Sequence, residues 1–510
     1  MNCVYGGKKM VEMNVEVELT KPVTNLEAVF SSCVKSLKEK YEKQGTDIEY
    51  VVKVAKGGAS LAVKIKSNKL VTATDAIVQL EKQLAAALGK EFKVGIKNIK
   101  VIDYEVVFDL EEAPKKAITI PFVAKVGIKG KQATLRYENF NYQWVKDNYV
   151  ERTIKLVKDK ITQMNYEGKD EFKEVVWEGK PRQNTYKGDP AEDLEKMNWI
   201  KRTPAKGQFV YGREFTALVN VVRELIAEEI YEPLNFQEML LPKFEPWVIP
   251  QKSGHAKNIY PNAYFVMNPK NASPEYWEEV MDKYAITREI PLEEIKQKAD
   301  CTGIMSYAQC PPFWPYLEGK VIDEGTLPLK IFDWSGPTYR NESGGTHGID
   351  RLEEFHRIET LTVGTKIQVI DAWQKLKGAF TKFFDETLDI EIRVCKVTPW
   401  WMAHAGIKTE KGTDEMGTYD FDAYLPYRGN RDKEWLEIQN DSSNGDKYPT
   451  AFRVKGKNQE YLWSGCAGGS FERILCAFLA QKGLDPQNWP AEIRKRFETK
   501  MKNVKPLKFY

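Results

Sequence analysis

No apolar run in the chain approaches the roughly 18 residues that a membrane span requires; the longest stretches, such as AFLA near Phe478, stop well short. The amino-terminal MNCVYGGKKMVEMNVEVELT lacks the continuous apolar core of a signal peptide, so a soluble, cytoplasmic protein is expected. A Walker A sequence and a GxGxxG fingerprint are both missing, which argues against P-loop and Rossmann nucleotide binding. The cysteines, Cys3, Cys33, Cys301, Cys310, Cys395, Cys466 and Cys476, form no spacing framework. An odd number of them in an intracellular chain points to core thiols or metal ligands rather than disulfides.

What is present is length and an uneven charge. With 510 residues, two to four domains are expected. Residues 1–165 hold 28 lysines and arginines against 20 aspartates and glutamates, whereas the remainder holds 48 against 53. The excess is sharpest over 51–100, with ten lysines against three acids, and it suggests an anionic partner for the amino-terminal part.

Residues 13–19 alternate apolar and acidic side chains as a half-buried strand does, and helical spacing follows over 24–42. Strand patterns return in IEYVVKVA, LAVKIK, VGIKNIKVI, YEVVFDL, AITIPFVAKVGI and ATLRYENF, with helices over 74–88 and 147–164. This predicts a separate α+β domain, 1–165, built on a mainly antiparallel sheet. Residues 166–205, with EGK, GKPRQ, KGDP and RTPAKG, read as a linker. The second domain, 206–510, opens with a helix over FTALVNVVRELIAEEI and a strand, FQEMLLP, ending at Pro242. A pair of short helical patterns over 274–300 reads as an insertion.

Two segments carry chemistry. YRNESGGTHGIDRLEEFHRIET, 339–360, reads as two strands joined by a long glycine-bearing loop. Alternation puts Arg340 and Glu342 on one face of the first strand, and Phe355, Arg357 and Glu359 on one face of the second. A cation, a carboxylate and an aromatic ring on one hairpin can grip the phosphate, amino edge and ring face of a nucleotide. In SGCAGGSFERILCAFLAQKG, 464–483, a glycine-rich turn is expected to open a helix, turning backbone amides and Arg473 toward a phosphate.

Together these segments resemble motifs 2 and 3 of class II aminoacyl-tRNA synthetases, and the helix followed by the strand ending at Pro242 resembles motif 1, the dimerisation element. YDFDAYLP (419–426), WLEIQNDSSN (435–444) and RLEEFHRIE are similar to blocks of seryl-tRNA synthetases. The usual seryl enzyme has a heptad-patterned coiled-coil arm, which residues 1–165 do not show. An amino-terminal α+β domain, cysteines in the catalytic half and a helical insertion instead resemble the atypical zinc-dependent type of methanogenic archaea, over nearly the whole chain. The fold implied is α+β: an antiparallel class II sheet flanked by helices, with a separate tRNA-binding domain.

The resemblance implies activation of L-serine with ATP and transfer to tRNA(Ser), with tRNA(Sec) a further candidate acceptor. It implies Arg340 on the α-phosphate, Glu342 on the adenine amino group, Phe355 stacked on adenine, and Arg351 and Arg473 near the γ-phosphate. Glu437 would hold Mg²⁺, with Asn440 as a neighbour or second ligand. Cys310, Glu359 and Cys466 would hold Zn²⁺, three protein ligands leaving a fourth position for substrate; Cys301, nine residues before Cys310, is the alternative ligand. Trp400 or Trp401, with Asn440 and Ser442, would select serine. His347, His356 and His404 are metal-capable but sit where the family has loop or solvent-facing positions. A homodimer is implied by motif 1. Two other functions stay open: a ligase loading serine onto a carrier protein, which needs no basic tRNA-binding domain, and a non-catalytic synthetase-like tRNA-binding module, which would have lost some of Arg340, Glu342, Glu437 and Arg473.

Overall fold

A computed structural model of the chain describes residues 11–68, 70–166, 172–184, 186–342, 345–398, 415–431 and 434–505. The chain divides into two compact units, Met1–Lys169 and Asp170–Tyr510.

The first unit is a six-stranded antiparallel sheet in the order Ile48–Ala55, Ser60–Ser67, Val11–Leu19, Ile96–Asp109, Gln132–Phe140, Lys125–Lys129. Strand alternation decides its two faces. Val11, Met13, Val15, Val17 and Leu19 are buried in one core with Phe30 and Leu37 of helix Leu26–Glu42 and Leu80 and Leu84 of helix Leu70–Phe92. Full burial of each such side chain stabilises the fold by about 1.5–3 kcal/mol. The intervening Glu12, Glu16 and Glu18 pair with Lys64, Lys56 and Lys100. Part of the lysine excess over 51–100 is therefore balanced by acids on the neighbouring strand.

Ile96–Asp109 is one long strand where the sequence pattern suggested two, and only Lys125–Lys129 of the expected strand 117–128 is extended into the sheet. A final helix, Tyr149–Tyr166, completes the unit.

The second unit is built on a nine-stranded sheet. Its main path runs Gln237–Glu238, Leu329–Asp333, Glu354–Gly364, Trp463–Ser470, Trp435–Gly445, Gly417–Tyr424, Ile392–Thr398, Phe172–Glu178, and Pro337–Tyr339 pairs beside the start of Glu354–Gly364. Every pairing is antiparallel except the first, where Gln237 lies parallel to Ile331. One face is covered by helices Arg213–Ile226, Lys366–Lys382 and Phe471–Lys482. Phe215, Trp373, Phe380, Ile474 and Phe478 from these helices share a core with Ile358, Ala467, Tyr419 and Phe421 from the strands. Lys366–Lys382 begins in a capping box: Thr365 accepts from the Gln368 amide, and Gln368 accepts from that of Thr365.

Three expectations need correction. The stretch 166–205 is not a linker throughout: Phe172–Glu178 is the edge strand of the large sheet, where Trp177 lies opposite Val394, and Pro190–Lys196 is a helix capped by Asp189. Of FQEMLLP only Gln237–Glu238 pairs as strand. The glycine-rich stretch from Ser464 is no turn; Trp463–Ser470 is a central strand, and the helix begins only at Phe471. The 274–300 segment does form two helices, Pro274–Thr287 and Leu292–Lys298, leading into Ala299–Met305 of a separate three-stranded sheet.

Candidate functional site

The face of the large sheet opposite the helices carries the polar residues singled out in the sequence. Register places them. Thr338 lies opposite Phe355, and the Arg340 amide donates to the Glu353 carbonyl at 2.9 Å, so Arg340 continues the ladder one residue past the strand. Arg340, Phe355, Arg357 and Glu359 therefore share a face. On the neighbouring strands Glu359 lies opposite Gly468, Cys466 opposite Ser442, and Gly468 opposite Asn440, which extends the same face across three strands. Glycine at 468 has a specific reason: a Cβ there would stand 2.1 Å from the Arg357 guanidinium, which lies against that backbone.

Among the described residues Arg340 has no partner for its buried Nε, and its guanidinium sits 4.5 Å from the Tyr307 ring centre. Glu342 lies beyond the end of the strand, not on its face as alternation suggested, and its Oε2 is 3.5 Å from Arg351 Nε. The loop between the strands is closed by a mutual pair of backbone hydrogen bonds between His347 and Arg351, both 3.0 Å. His347 is not a free loop residue; it is 2.8 Å from Asp350 and 2.7 Å from Arg428.

Arg473 follows the helix cap, where Ser470 Oγ accepts its amide at 3.3 Å. Its side chain donates to the Asp350 carbonyl at 3.0 Å and to the Glu437 carbonyl at 3.1 Å, so it joins the hairpin loop to the strand that carries Glu437. Phe355 and Arg473 line one crevice with Ile349, Asp350, Leu352 and Ser470. Asn440 Nδ2 donates to Glu437 Oε1 at 3.3 Å. Ser442 is 2.8 Å from the buried Thr418 hydroxyl on the same face. Trp400, Trp401 and His404 lie outside the described residues.

Cys310, Glu359 and Cys466, separated by up to 156 positions in the chain, present ligand atoms that all lie within 4.8 Å of one another. Cys301 is not with them; it is exposed on Ala299–Met305. The Glu359 side chain is 1% exposed, and Arg357 Nε stands 2.8 Å from its Oε2 as an ion pair, at an angle that makes no hydrogen bond. Hydrogen bonding to Cys466 and burial push the Cys310 thiol well up, and burial raises the Glu359 carboxyl despite Arg357. Three acidic donors packed this closely disfavour ionisation unless a cation sits among them, and a divalent metal reverses exactly that preference. Two sulfurs and one carboxylate are a zinc-type donor set, and bonds of about 2.0–2.3 Å require ligand atoms this near to one another.

Sequence reading passed over Glu472. Its carboxylate accepts from the His356 amide at 2.9 and 3.0 Å, from Ser470 Oγ at 3.0 Å, and meets His356 Nδ1 at 2.8 Å. His356 is therefore half-buried and tied to Glu472 through Nδ1, not a freely solvated side chain. Its position next to Arg473 in SFER was the available signal.

Two family descriptions match the chain: a tRNA-binding domain over residues 10–159, and the tRNA synthetase class II core domain (G, H, P, S and T) over 303–482. The chain is similar to the Type-2 serine–tRNA ligase of Methanococcoides burtonii, at 43% identity over 88% of this chain and 89% of that one. It is 42% identical to that of Methanothrix thermoacetophila, over 86% and 88%. Among solved structures, M. kandleri SerRS in complex with A. aeolicus tRNASec aligns at a TM-score of 0.85 and 25% identity, covering 99% of each chain. With an α+β class II core, an amino-terminal tRNA-binding domain and relatives this similar over nearly nine-tenths of its length, the chain belongs to the type-2 serine–tRNA ligase family.

Proposed function

We propose that this chain activates L-serine with ATP and Mg²⁺ to seryl-adenylate and transfers the seryl group to the 3′ end of tRNA(Ser), working as a cytoplasmic homodimer; tRNA(Sec) is a second acceptor to test. The observation that carries the reading is the meeting of Cys310, Glu359 and Cys466 on the sheet face that also bears Arg340, Arg357 and Glu437.

In the first step the serine carboxylate attacks the α-phosphorus and pyrophosphate leaves. The carboxylate is already ionised, so no general base is needed and the work is positioning and charge neutralisation. Arg340, whose buried Nε has no partner among the described residues, neutralises the α-phosphate. Phe355 stacks on adenine, Glu342 accepts from its amino group, and Arg351 and Arg473 hold the far end of the triphosphate. Glu437, with Asn440 as its neighbour, would hold Mg²⁺, which would supply charge neutralisation for the triphosphate. Cys310, Glu359 and Cys466 would hold Zn²⁺, which would supply a Lewis acid for the free amino group of serine. Selection against alanine and threonine falls to hydrogen bonds and walls around the hydroxyl, from Asn440, Ser442 and Trp400 or Trp401. In the second step the terminal ribose hydroxyl of the tRNA attacks the adenylate carbonyl and AMP leaves. The tRNA-binding domain disfavours a ligase that loads a carrier protein, and the presence of Arg340, Glu342, Glu437 and Arg473 disfavours a non-catalytic module.

Serine-dependent ATP–pyrophosphate exchange, run beside threonine, alanine and glycine and with zinc removed by a chelator, tests this. Exchange confined to serine and lost on chelation is expected. Serine exchange untouched by thorough zinc removal would sink the metal assignment, and no serine exchange would sink the substrate.

A further inference from the structure

Asn444 is 2% exposed at the end of strand Trp435–Gly445, and the ladder passes it by: Ser443 lies opposite Gly465 and Gly445 opposite Ser464, so Asn444 is the extra residue of a bulge. Bulges of this kind re-aim a side chain. Here the amide is aimed at the metal-type cluster, where Asn444 Nδ2 donates to Cys466 Sγ at 3.3 Å while its buried Oδ1 has no partner among the described residues. An orphaned buried amide oxygen is destabilising. An apolar side chain would avoid that cost, so the amide's one bond, to sulfur, is what accounts for it.

The charge balance explains why such a bond is useful. Two thiolates and a carboxylate around a divalent ion leave one negative charge in excess, in a place from which water is largely excluded. Each prospective ligand has its own neighbour to take up part of that charge. Arg357 pairs with Glu359 at 2.8 Å, the Tyr448 hydroxyl lies against Cys310, the Lys447 charge acts on both sulfurs, and Asn444 donates to Cys466.

We propose that Asn444 is the positioning residue of Cys466: its N–H···S bond fixes the direction of the thiolate and stabilises its negative charge, and so sets how tightly the cluster holds zinc. The proposal rests on the reading that Cys310, Glu359 and Cys466 are zinc ligands.

The test is zinc affinity of the full-length protein by competition with a chromophoric chelator, for the wild type, Asn444→Ala and the nearly isosteric Asn444→Asp. Loss of a partner of this kind typically weakens metal affinity about 10–100-fold. That range is expected for N444A, with a larger loss for N444D, which puts a carboxylate beside the thiolate. The Co²⁺-substituted N444A protein should also show its thiolate-to-metal charge-transfer band moved to longer wavelength, a shift that a purely structural role would not produce. Unchanged affinity and an unmoved band in N444A overturn the proposal. If N444A does not fold, N444D carries the test, and wild-type affinity there overturns it equally. A wild-type protein that binds no zinc would instead overturn the ligand assignment, and the proposal with it.

Discussion

Arg340 and Arg357 share a face of one hairpin yet differ in what their removal should cost. Arg340 has no partner for Nε among the described residues and is set against Tyr307, so Arg340→Ala should leave thermal stability nearly unchanged while lowering kcat/KM for pyrophosphate exchange about 10²–10³-fold. Arg357 is paired with buried Glu359, and losing one member of a buried pair costs about 3–5 kcal/mol. Arg357→Ala should therefore unfold at clearly lower denaturant when metal-free, which urea titration would register. Glu245 offers a pH probe away from the proposed ligands. Burial raises its carboxyl from 4.5 to about 8. A folded pKa above the unfolded one means that its neutral form favours the native state at low pH, and that this contribution fades as pH rises from 4.5 through 8. Glu245→Gln should flatten the fall in melting temperature over that interval; an unaltered slope would remove Glu245 as its source.

Between elements, Glu472 ties the helix that carries Arg473 to the strand that carries Phe355. Burial lowers the pKa of the His356 imidazole, but the hydrogen bond and charge of Glu472 outweigh it and the net shift is upward. The stabilisation is therefore full below the ordinary histidine value of 6.5 and is lost as pH climbs through the raised one. Glu472→Gln should abolish that dependence and raise the KM for ATP more than it lowers kcat, as read from exchange kinetics between pH 6 and 9. The hairpin was legible from its local pattern, whereas the Cys310, Glu359 and Cys466 grouping came from the family resemblance alone, since nothing local announces it and Cys301 stood as an alternative. Trp463–Ser470 was not legible as strand: its glycines argue locally for a turn, and only partners on both sides, with Arg357 needing room at Gly468, make it extended. Phe172–Glu178 was hidden likewise, since its pairing partner lies more than 200 residues further along. Asn444 and Glu472 could not be weighed from sequence because their partners are distant in it.

At the level of the whole molecule, two units with separate cores accompany two steps of unlike chemistry. The lysine excess lies in the first unit, so raising ionic strength should increase the KM for tRNA steeply while serine-dependent exchange changes little; equal sensitivity of both would argue against tRNA contact by that unit. The second unit places its chemistry by parity. Residues 355, 357 and 359, with 440 and 442, and 466 and 468, face the site, while the residues between them face the helices. A side chain on the site face that is not held in a buried pair, as Arg357 is with Glu359, can be exchanged without disturbing the helix-side core, so substitution can adjust which substrate fits. Insertion or deletion of one residue in these strands would turn every later side chain to the opposite face, carrying charged groups into the apolar layer. Changes of length in the loops that join the strands escape this inversion, although the turn that carries Arg351 is itself fixed by its pairing with His347.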